Sequence, residues 1–209
     1  MAGFVVESID ALSAEQVIRV QVIYEDAFSP DLRVPFSELT EPGNVDRTFV
    51  ALHGSEPVGF AALRLLGSVQ WSFLRYFAIA RERRSQGAGR QFWQLLNQSL
   101  RTEAWPTRIV FEVEDPDEAA DDDAERVIRQ RRIDFWTVCG ARRLPARGYV
   151  LPDYTGSGNT EPMLLMAGPL ETTLLVGGDQ LRSLILAIYT DRYGLLPSDP
   201  LVLRALALD

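Results

Sequence analysis

The order of apolar runs along this chain of 209 residues predicts an α/β fold with a helical C-terminal appendage. Short β-type runs such as Thr48–Leu52 and Phe73–Ala80 alternate with runs whose apolar residues repeat at the helical period. A turn that contains two glycines joins one such strand to one such helix. Hydrophobic residues form 46% of the sequence, which is ordinary for a globular protein with a packed core.

Each predicted element follows from a local pattern. Runs of β-branched, aromatic and aliphatic residues that end at glycine, proline or a charged cluster predict strands at Phe4–Ile9, Arg47–His53, Val58–Leu66, Trp71–Ala80, Arg108–Glu114, Tyr149–Leu151 and Met163–Ala167. Capping residues and the 3.6-residue period predict helices from Ser13 to about Phe28, near Phe36–Leu39, over Gln86–Glu103 and from about Asp123 to Cys139. The segment Gly54–Pro57 is predicted to connect two strands as a hairpin.

The pattern changes near the C-terminus. Residues 1–168 are predicted to form the main domain, and residues 169–209 a helical appendage with helices at Asp179–Tyr193 and Leu201–Leu208. Each of these helices presents an apolar face that has to cover the main domain or a second subunit. Because twofold pairing is the commonest oligomer, the sequence suggests a homodimer.

Composition narrows the classes of function. The formal net charge of −8 argues against nucleic acid as a partner. No apolar stretch reaches the length of a transmembrane helix, and the first residues lack the basic start of a signal peptide. Cys139 is the only cysteine and His53 the only histidine, so neither a disulfide nor a metal site is expected. These features predict a cytoplasmic protein with no membrane partner.

The turn between Arg84 and Arg90 has the features of an anion site. Gly87 and Gly89 have no Cβ, so a phosphate can approach the backbone closely. The helix that follows offers backbone N–H groups and the positive end of its dipole. Four arginines surround the turn, namely Arg81, Arg83, Arg84 and Arg90. Arginine suits phosphate oxygens, so the sequence predicts a ligand that carries a pyrophosphate.

The pattern Arg84-x-x-Gly87-x-Gly89 resembles the acyl-CoA-binding motif of the GNAT superfamily of N-acetyltransferases. The segment Ile133–Ala141 resembles the late helix of that superfamily and its glycine stop, and the likeness in element order covers about residues 4–167. The resemblance implies a mixed, mostly antiparallel twisted sheet flanked by helices, and acetyl-CoA as cosubstrate. It implies that the cofactor contacts Phe77, Ala78, Ile79, Arg84, Ser85, Gln86, Gly87, Ala88, Gly89 and Arg90.

Other interpretations of the turn agree less well with the sequence. A P-loop requires Lys-Ser or Lys-Thr after its last glycine, where this chain has Arg90-Gln91. A dinucleotide fingerprint requires a third glycine, where this chain has Phe92, although Glu112 lies at about the distance of the acidic residue in that motif. The remaining alternative is a glycine turn that binds no ligand and whose arginines are solvated.

Acyl transfer to an amine needs a base for the amine and a proton for the leaving thiolate. Glu112 and Glu114 are the candidate bases because they share one face of a strand, and the preceding strand has no acidic residue. The late helix has Trp136 where the superfamily often has tyrosine, and indole cannot donate a proton usefully, so Tyr149 and Tyr154 are candidate acids. The predicted function is acetyl transfer to a small amine; the alternative is a catalytically silent acyl-CoA-binding module.

Overall fold

The computed structural model describes residues 3–41, 45–119, 122–153, 160–169 and 176–208, and it confirms the predicted α/β class. The strands are β1 (Phe4–Ser8), β2 (Asp46–His53), β3 (Glu56–Leu66), β4 (Trp71–Ile79), β5 (Ile109–Glu114), β6 (Arg142–Arg143), β7 (Val150–Leu151) and β8 (Glu161–Gly168). The α-helices are α1 (Ala14–Ala27), α2 (Ala88–Thr102), α3 (Asp123–Val138), α4 (Gly178–Ala187) and α5 (Pro200–Leu208).

The chain forms two compact units, of which the first contains Met1–Leu65 and Leu74–Thr107. Strand β2 pairs antiparallel with both β1 and β3, and β4 follows β3 in the strand order. The β2–β3 hairpin is tighter than predicted, because His53 pairs with Glu56 and only two residues form the turn. Gly54 has φ +64°, a conformation that favours glycine, so it supplies the sharp turn.

Helix α1 begins and packs as its sequence predicts. Ser13 and Gln16 form a reciprocal capping box, in which each side chain bonds the other residue's backbone N–H. The helix buries Val20, Ile23 and Tyr24 in the core of the first unit. The Tyr24 ring meets Tyr76 of β4 edge to face, with ring centroids 5.0 Å apart. The helix is therefore fixed against the strand that leads into the glycine turn.

The second unit contains Leu66–Phe73 and Arg108–Asp209. The start of β4 pairs parallel with β5, whereas β8 pairs antiparallel with β5, β6 and β7. The sheet is therefore mixed and mostly antiparallel, as expected. Strand β6 was not predicted, because its two exposed arginines form no β-type run and only pairing with β8 defines it.

The C-terminal helices supply part of the core of the second unit. Leu181, Leu184, Ile185 and Ile188 are 0–3% exposed and pack in one cluster with residues such as Trp71 and Val110. Helix α4 continues as one π-helical segment, Ile188–Arg192. The apolar face of α4 is thus covered within the same unit, whereas Leu203 of α5 is 55% exposed. The homodimer and the boundary at residue 168 stay predictions.

The packing of α4 makes a test of this arrangement possible. Replacing Leu184, which is 1% exposed, by alanine should lower the free energy of unfolding by about 2–5 kcal/mol, because it leaves a cavity in the core. The matched variant Leu203→Ala removes the same atoms from a residue of α5 that is 55% exposed, and should cost less than about 0.5 kcal/mol. Urea unfolding measures both values, and equal losses would contradict the packing described.

Candidate functional site

The turn that follows β4 exposes the start of α2. Gly87 is the N-cap of the helix in a left-handed conformation, with φ +80°, and has no side chain to cap the first N–H groups. A Cβ built on Gly87 would meet no atom within 4 Å, so the space in front of the helix is open. The first turn of α2 contains no acidic residue and does contain Arg90, which the helix dipole disfavours. An anion would compensate both features.

The arginines around the turn divide into two groups. Arg83 pairs with Glu56 at 3.2 Å, and Arg84 pairs with Asp26 at 3.5 Å. Arg81 and Arg90 are exposed, and neither forms an ion pair within the described residues. Arg81 and Arg90 are therefore directly available to a phosphate, whereas Arg83 and Arg84 would first exchange an exposed, weak ion pair.

The end of β4 is held tightly. Arg84 Nε donates to the Ile79 backbone O at 2.9 Å, which ties the turn to the strand. Gly59 of β3 packs so closely that an added Cβ would lie 2.7 Å from the Ala78 backbone O. The ring of Phe77 stacks on Phe92 of α2, with centroids 5.1 Å apart. The three residues expected to face the acyl group thus belong to a rigid strand.

Among the remaining predicted cofactor residues, Ser85 and Gln86 are exposed in the turn, Gly89 is half-buried and Ala88 is buried. Ser85 has φ +61°, and Gln86 Nε2 donates to the Glu82 backbone O at 3.0 Å. The positive φ of Ser85 and Gly87 bends the chain sharply before the helix. The predicted residues from Arg84 to Arg90 therefore form one sharp turn into α2, in which Ala88 is buried.

In the second unit, the carboxylate of Glu112 is surrounded by tyrosine hydroxyls. Tyr149 Oη donates to Glu112 Oε1 at 2.5 Å. Tyr193 Oη lies 2.7 Å from Oε1 and 2.6 Å from Oε2 of the same carboxylate. Tyr149 also stacks on Tyr189, with ring centroids 5.2 Å apart. The structure thus brings the predicted base Glu112 and the predicted acid Tyr149 into direct contact.

The environment of Glu112 raises the pKa of its carboxyl group. Burial raises the pKa of Glu112 to about 7, while the hydrogen bond from Tyr149 and the charge of Arg192 act in the opposite direction. The Arg192 guanidinium lies 4.9 Å from the ring centroid of Tyr193. A carboxyl group with this pKa exchanges its proton near neutral pH, which is the property that a general base requires.

Glu114, the second predicted base, is in a different environment. Burial opposes its ionisation, but the hydrogen bond and charge of Arg132 outweigh that effect and lower the pKa of Glu114. Arg132 Nη1 and Glu114 Oε1 are 2.5 Å apart. A carboxylate held ionised by an arginine is a weak proton acceptor, so Glu112 is the better candidate.

Two further sequence expectations concern aromatic residues. Trp136 is buried and packs on Phe111, with ring centroids 4.4 Å apart. Tyr154 lies outside the described residues. Sequence reasoning did not select Tyr193, although Tyr189 and Tyr193 continue the apolar face of the C-terminal helix with the i,i+4 spacing. Tyr193 could have been selected from the sequence by one rule, namely that a buried tyrosine usually finds a hydrogen-bond partner for its hydroxyl.

The structure also bears on the expectations for His53, for metal binding and for membrane-spanning helices. His53 ends β2, and its ring meets Phe4 edge to face, with centroids 5.7 Å apart. In the described part of the chain, no three His, Cys, Asp or Glu side chains are grouped so that they could hold a metal ion. The helices in the same ranges are too short or too polar to cross a membrane.

The order of strand β4, glycine turn and helix α2 agrees with the resemblance to acyl-CoA-binding acetyltransferases that the sequence shows. The sequence model of the acetyltransferase (GNAT) family matches residues 17–127, more than half of the 209 residues. The chain therefore belongs to the GNAT family and is an acetyltransferase. No curated protein sequence matches it.

Solved structures share this fold. A protein described as a GNAT-family acetyltransferase from Bacteroides thetaiotaomicron has a TM-score of 0.68 and 19% identity, over 93% of this chain and 99% of its own. The aminoglycoside 6'-N-acetyltransferase from Enterococcus faecium has a TM-score of 0.57 and 16% identity, over 78% and 95%. A GNAT family acetyltransferase from Elizabethkingia anophelis with acetyl-CoA bound has a TM-score of 0.51 and 12% identity, over 81% and 100%. Identities this low show a common fold and not a common acceptor.

The conformation of Gly87 provides a controlled test of the predicted cofactor turn. Gly87→Val should weaken CoA binding by more than about tenfold, because a branched side chain fills the space in front of α2 where the phosphates approach. Gly54→Val is the matched control, since Gly54 also has positive φ and open space around it but lies in the β2–β3 turn. Calorimetric titration with CoA measures both variants. An equal loss in both would attribute the effect to backbone strain and reject the assignment.

Proposed function

We propose that this chain transfers an acetyl group from acetyl-CoA to the amine of a small molecule. The observation that carries the proposal is the open N-terminus of α2 behind Gly87, in a chain that belongs to the GNAT family. Acetyl-CoA supplies the acetyl group as a thioester. The structure of the Elizabethkingia anophelis acetyltransferase with acetyl-CoA bound supports this choice of cosubstrate.

The turn fits the diphosphate part of CoA. The first N–H groups of α2 and the guanidinium groups of Arg81 and Arg90 supply donors and positive charge at one exposed surface. The end of β4 precedes this turn in the chain. The family resemblance places the pantetheine and acetyl groups along the backbone of its residues Phe77, Ala78 and Ile79. The protein's contribution at this part of the site is to bind and orient, and orientation supplies much of the rate enhancement in transfer between two bound molecules.

We propose that Glu112 accepts the proton of the acceptor amine. An amine is protonated near neutral pH and becomes a nucleophile only when it loses that proton. The pKa of about 7 allows Glu112 to be ionised before reaction and protonated afterwards. Tyr149 and Tyr193 hold the carboxylate through hydrogen bonds to its oxygens. Tyr149 is in addition the candidate donor for the leaving thiolate, because Glu112, once it holds the proton of the amine, can return a proton to the Tyr149 oxygen. Glu114 is assigned a smaller role because Arg132 holds its charge.

A simple assay separates this enzyme from the catalytically silent acyl-CoA-binding module. Both bind CoA, but only the enzyme releases free CoA thiol from acetyl-CoA in a manner that depends on an added amine. The measurement uses a panel of amino acids, polyamines and aminoglycosides with a colorimetric thiol reagent. Tight CoA binding without any amine-dependent thiol release would reject the enzyme and support the module.

Replacing the proposed base changes the pH dependence of the rate in a defined direction. In the parent protein, kcat/KM should rise as pH increases through about 7, because only ionised Glu112 can accept a proton. Glu112→Gln should lower kcat/KM by about a hundredfold at neutral pH, with partial recovery at high pH where more of the amine is already neutral. A variant with the full pH–rate profile of the parent would remove Glu112 from the mechanism.

The contribution of the C-terminal segment is tested at Tyr193. Its hydroxyl favours the ionised form of Glu112, so Tyr193→Phe should raise the pKa of Glu112 and move the rise in kcat/KM to higher pH. Tyr189→Phe is the control, because the Tyr189 hydroxyl donates to the Val150 backbone O at 2.9 Å. The same shift in both variants would indicate a general disturbance of the helix rather than a contact to Glu112.

A further inference from the structure

A groove in the first unit lies beside the loop that follows α1. Its volume is about 290 Å³, at the small end of the range for sites that bind small molecules. Pro30, Val34, Pro35 and the rings of Tyr24 and Phe36 form its apolar lining. Three polar side chains also line it, namely Gln21, Glu25 and Arg33. The groove is therefore open and lined by apolar and polar side chains in similar measure, with one positive and one negative group.

The loop beside the groove is held by two tyrosine hydroxyls. Tyr24 Oη donates to the Val34 backbone O at 3.0 Å. Tyr76 Oη accepts from the Val34 backbone N at 3.2 Å and donates to the Leu32 backbone O at 3.3 Å. Arg33 lies between the two residues that Tyr76 holds. Its backbone is thus fixed before a ligand arrives, which reduces the entropy that binding has to overcome.

This contact also links the groove to the acyl-binding strand. Tyr76 belongs to β4 and directly precedes Phe77, the first of the three residues assigned to the acyl-CoA backbone. The loop beside the groove is therefore bonded to the strand on which the proposed function places the acyl group. The inference that follows rests on that proposed function, and it takes the ligand of the groove to be the acceptor amine.

The guanidinium of Arg33 indicates the chemistry of that ligand. Its Nη1 atom is buried and has no hydrogen-bond partner among the residues that the structure describes, so a ligand in the groove reaches this atom only when the side chain turns toward it. A buried donor on a charged group is unfavourable unless it is paired, and a planar oxyanion is the partner that fits a guanidinium best. Glu25 already accepts a hydrogen bond from Gln21 Nε2 at 2.8 Å. The carboxylate of Glu25 disfavours a doubly charged phosphate in the same groove and favours a ligand with one negative charge.

We propose that this groove binds the carboxylate of the acceptor through Arg33, so that the acceptor is an amine of the amino acid type. Glu25 and Gln21 supply hydrogen-bond acceptors for N–H groups of the same ligand. The apolar lining of Tyr24, Phe36 and the prolines accommodates its side chain. Polyamines and aminoglycosides have no carboxylate and leave the buried donor of Arg33 unpaired.

Binding of product-like compounds tests the proposal without turnover. The probes are the N-acetyl derivatives of phenylalanine, leucine, methionine and lysine, each compared by calorimetry with the N-acetyl derivative of its decarboxylated amine. The carboxylate member of at least one pair should bind about ten- to a hundredfold more tightly, because it pairs a charged donor. Arg33→Gln should abolish that difference, and Arg33→Lys should retain part of it because it keeps the charge without the planar fork.

Two controls make the result decisive. Arg101→Gln removes an exposed arginine from the last turn of α2 and should leave the carboxylate preference unchanged. Thermal unfolding followed by circular dichroism shows whether each variant is folded, and Arg33→Lys carries the comparison if Arg33→Gln is not. The proposal is overturned if no pair shows a carboxylate preference, if the preference survives in Arg33→Gln, or if phosphoethanolamine binds more tightly than every amino acid derivative.

The proposed function has a separate readout. Amine-dependent thiol release tests acetyl transfer, whereas the calorimetric comparison tests the groove. A carboxylate preference that depends on Arg33, together with no thiol release from any amine, would reject the acetyltransferase and support the groove as a carboxylate site. Thiol release that is faster with every decarboxylated amine than with its amino acid would support the enzyme and reject the groove assignment.

Discussion

At the start of α2, the backbone N–H groups of one helical turn have no helical acceptor, and Gly87 offers them no capping side chain. The local sequence adds Arg90 where the helix dipole would favour an acidic residue. Because the space in front of this end is open, water or an anion can satisfy the N–H groups, and the helix dipole favours the anion. The surrounding contacts preserve this end, because Arg84 holds the end of β4 and the close approach of Gly59 leaves the strand little freedom.

In the second unit, the corresponding conflict is between the burial of a carboxyl group and its ionisation. Burial makes ionisation of Glu112 unfavourable, and the hydrogen bond from Tyr149 and the charge of Arg192 partly compensate. The result is a carboxyl group that titrates near neutral pH. Glu114, two residues away on the same strand, differs because the direct charge of Arg132 outweighs its burial. Position on a strand therefore does not decide protonation; the partners of each carboxylate do.

Tyrosine hydroxyls have a repeated structural role in this protein. In the first unit, Tyr24 and Tyr76 satisfy backbone groups of the loop that carries Arg33. In the second unit, Tyr189 satisfies the backbone of Val150 while its ring stacks on Tyr149. A tyrosine buries a large apolar ring and still supplies one polar atom at its tip. This combination allows irregular segments and ionisable groups to be fixed at the edge of an apolar core.

The order of most elements and the turn at Gly87 could be predicted from the sequence, because both depend on residues that are close together in the chain. The helical period, the Ser13 cap and the run from Phe77 to Arg90 are local patterns, and the structure has strand, turn and helix in that order. Strand β6 could not be predicted, since two arginines become a strand only by pairing with β8. The surroundings of Glu112 were also undetermined, because Tyr149 and Tyr193 lie 37 and 81 residues away in sequence. Only the tertiary structure brings those hydroxyls to the carboxylate, and its pKa follows from that contact and from burial, neither of which a local pattern records.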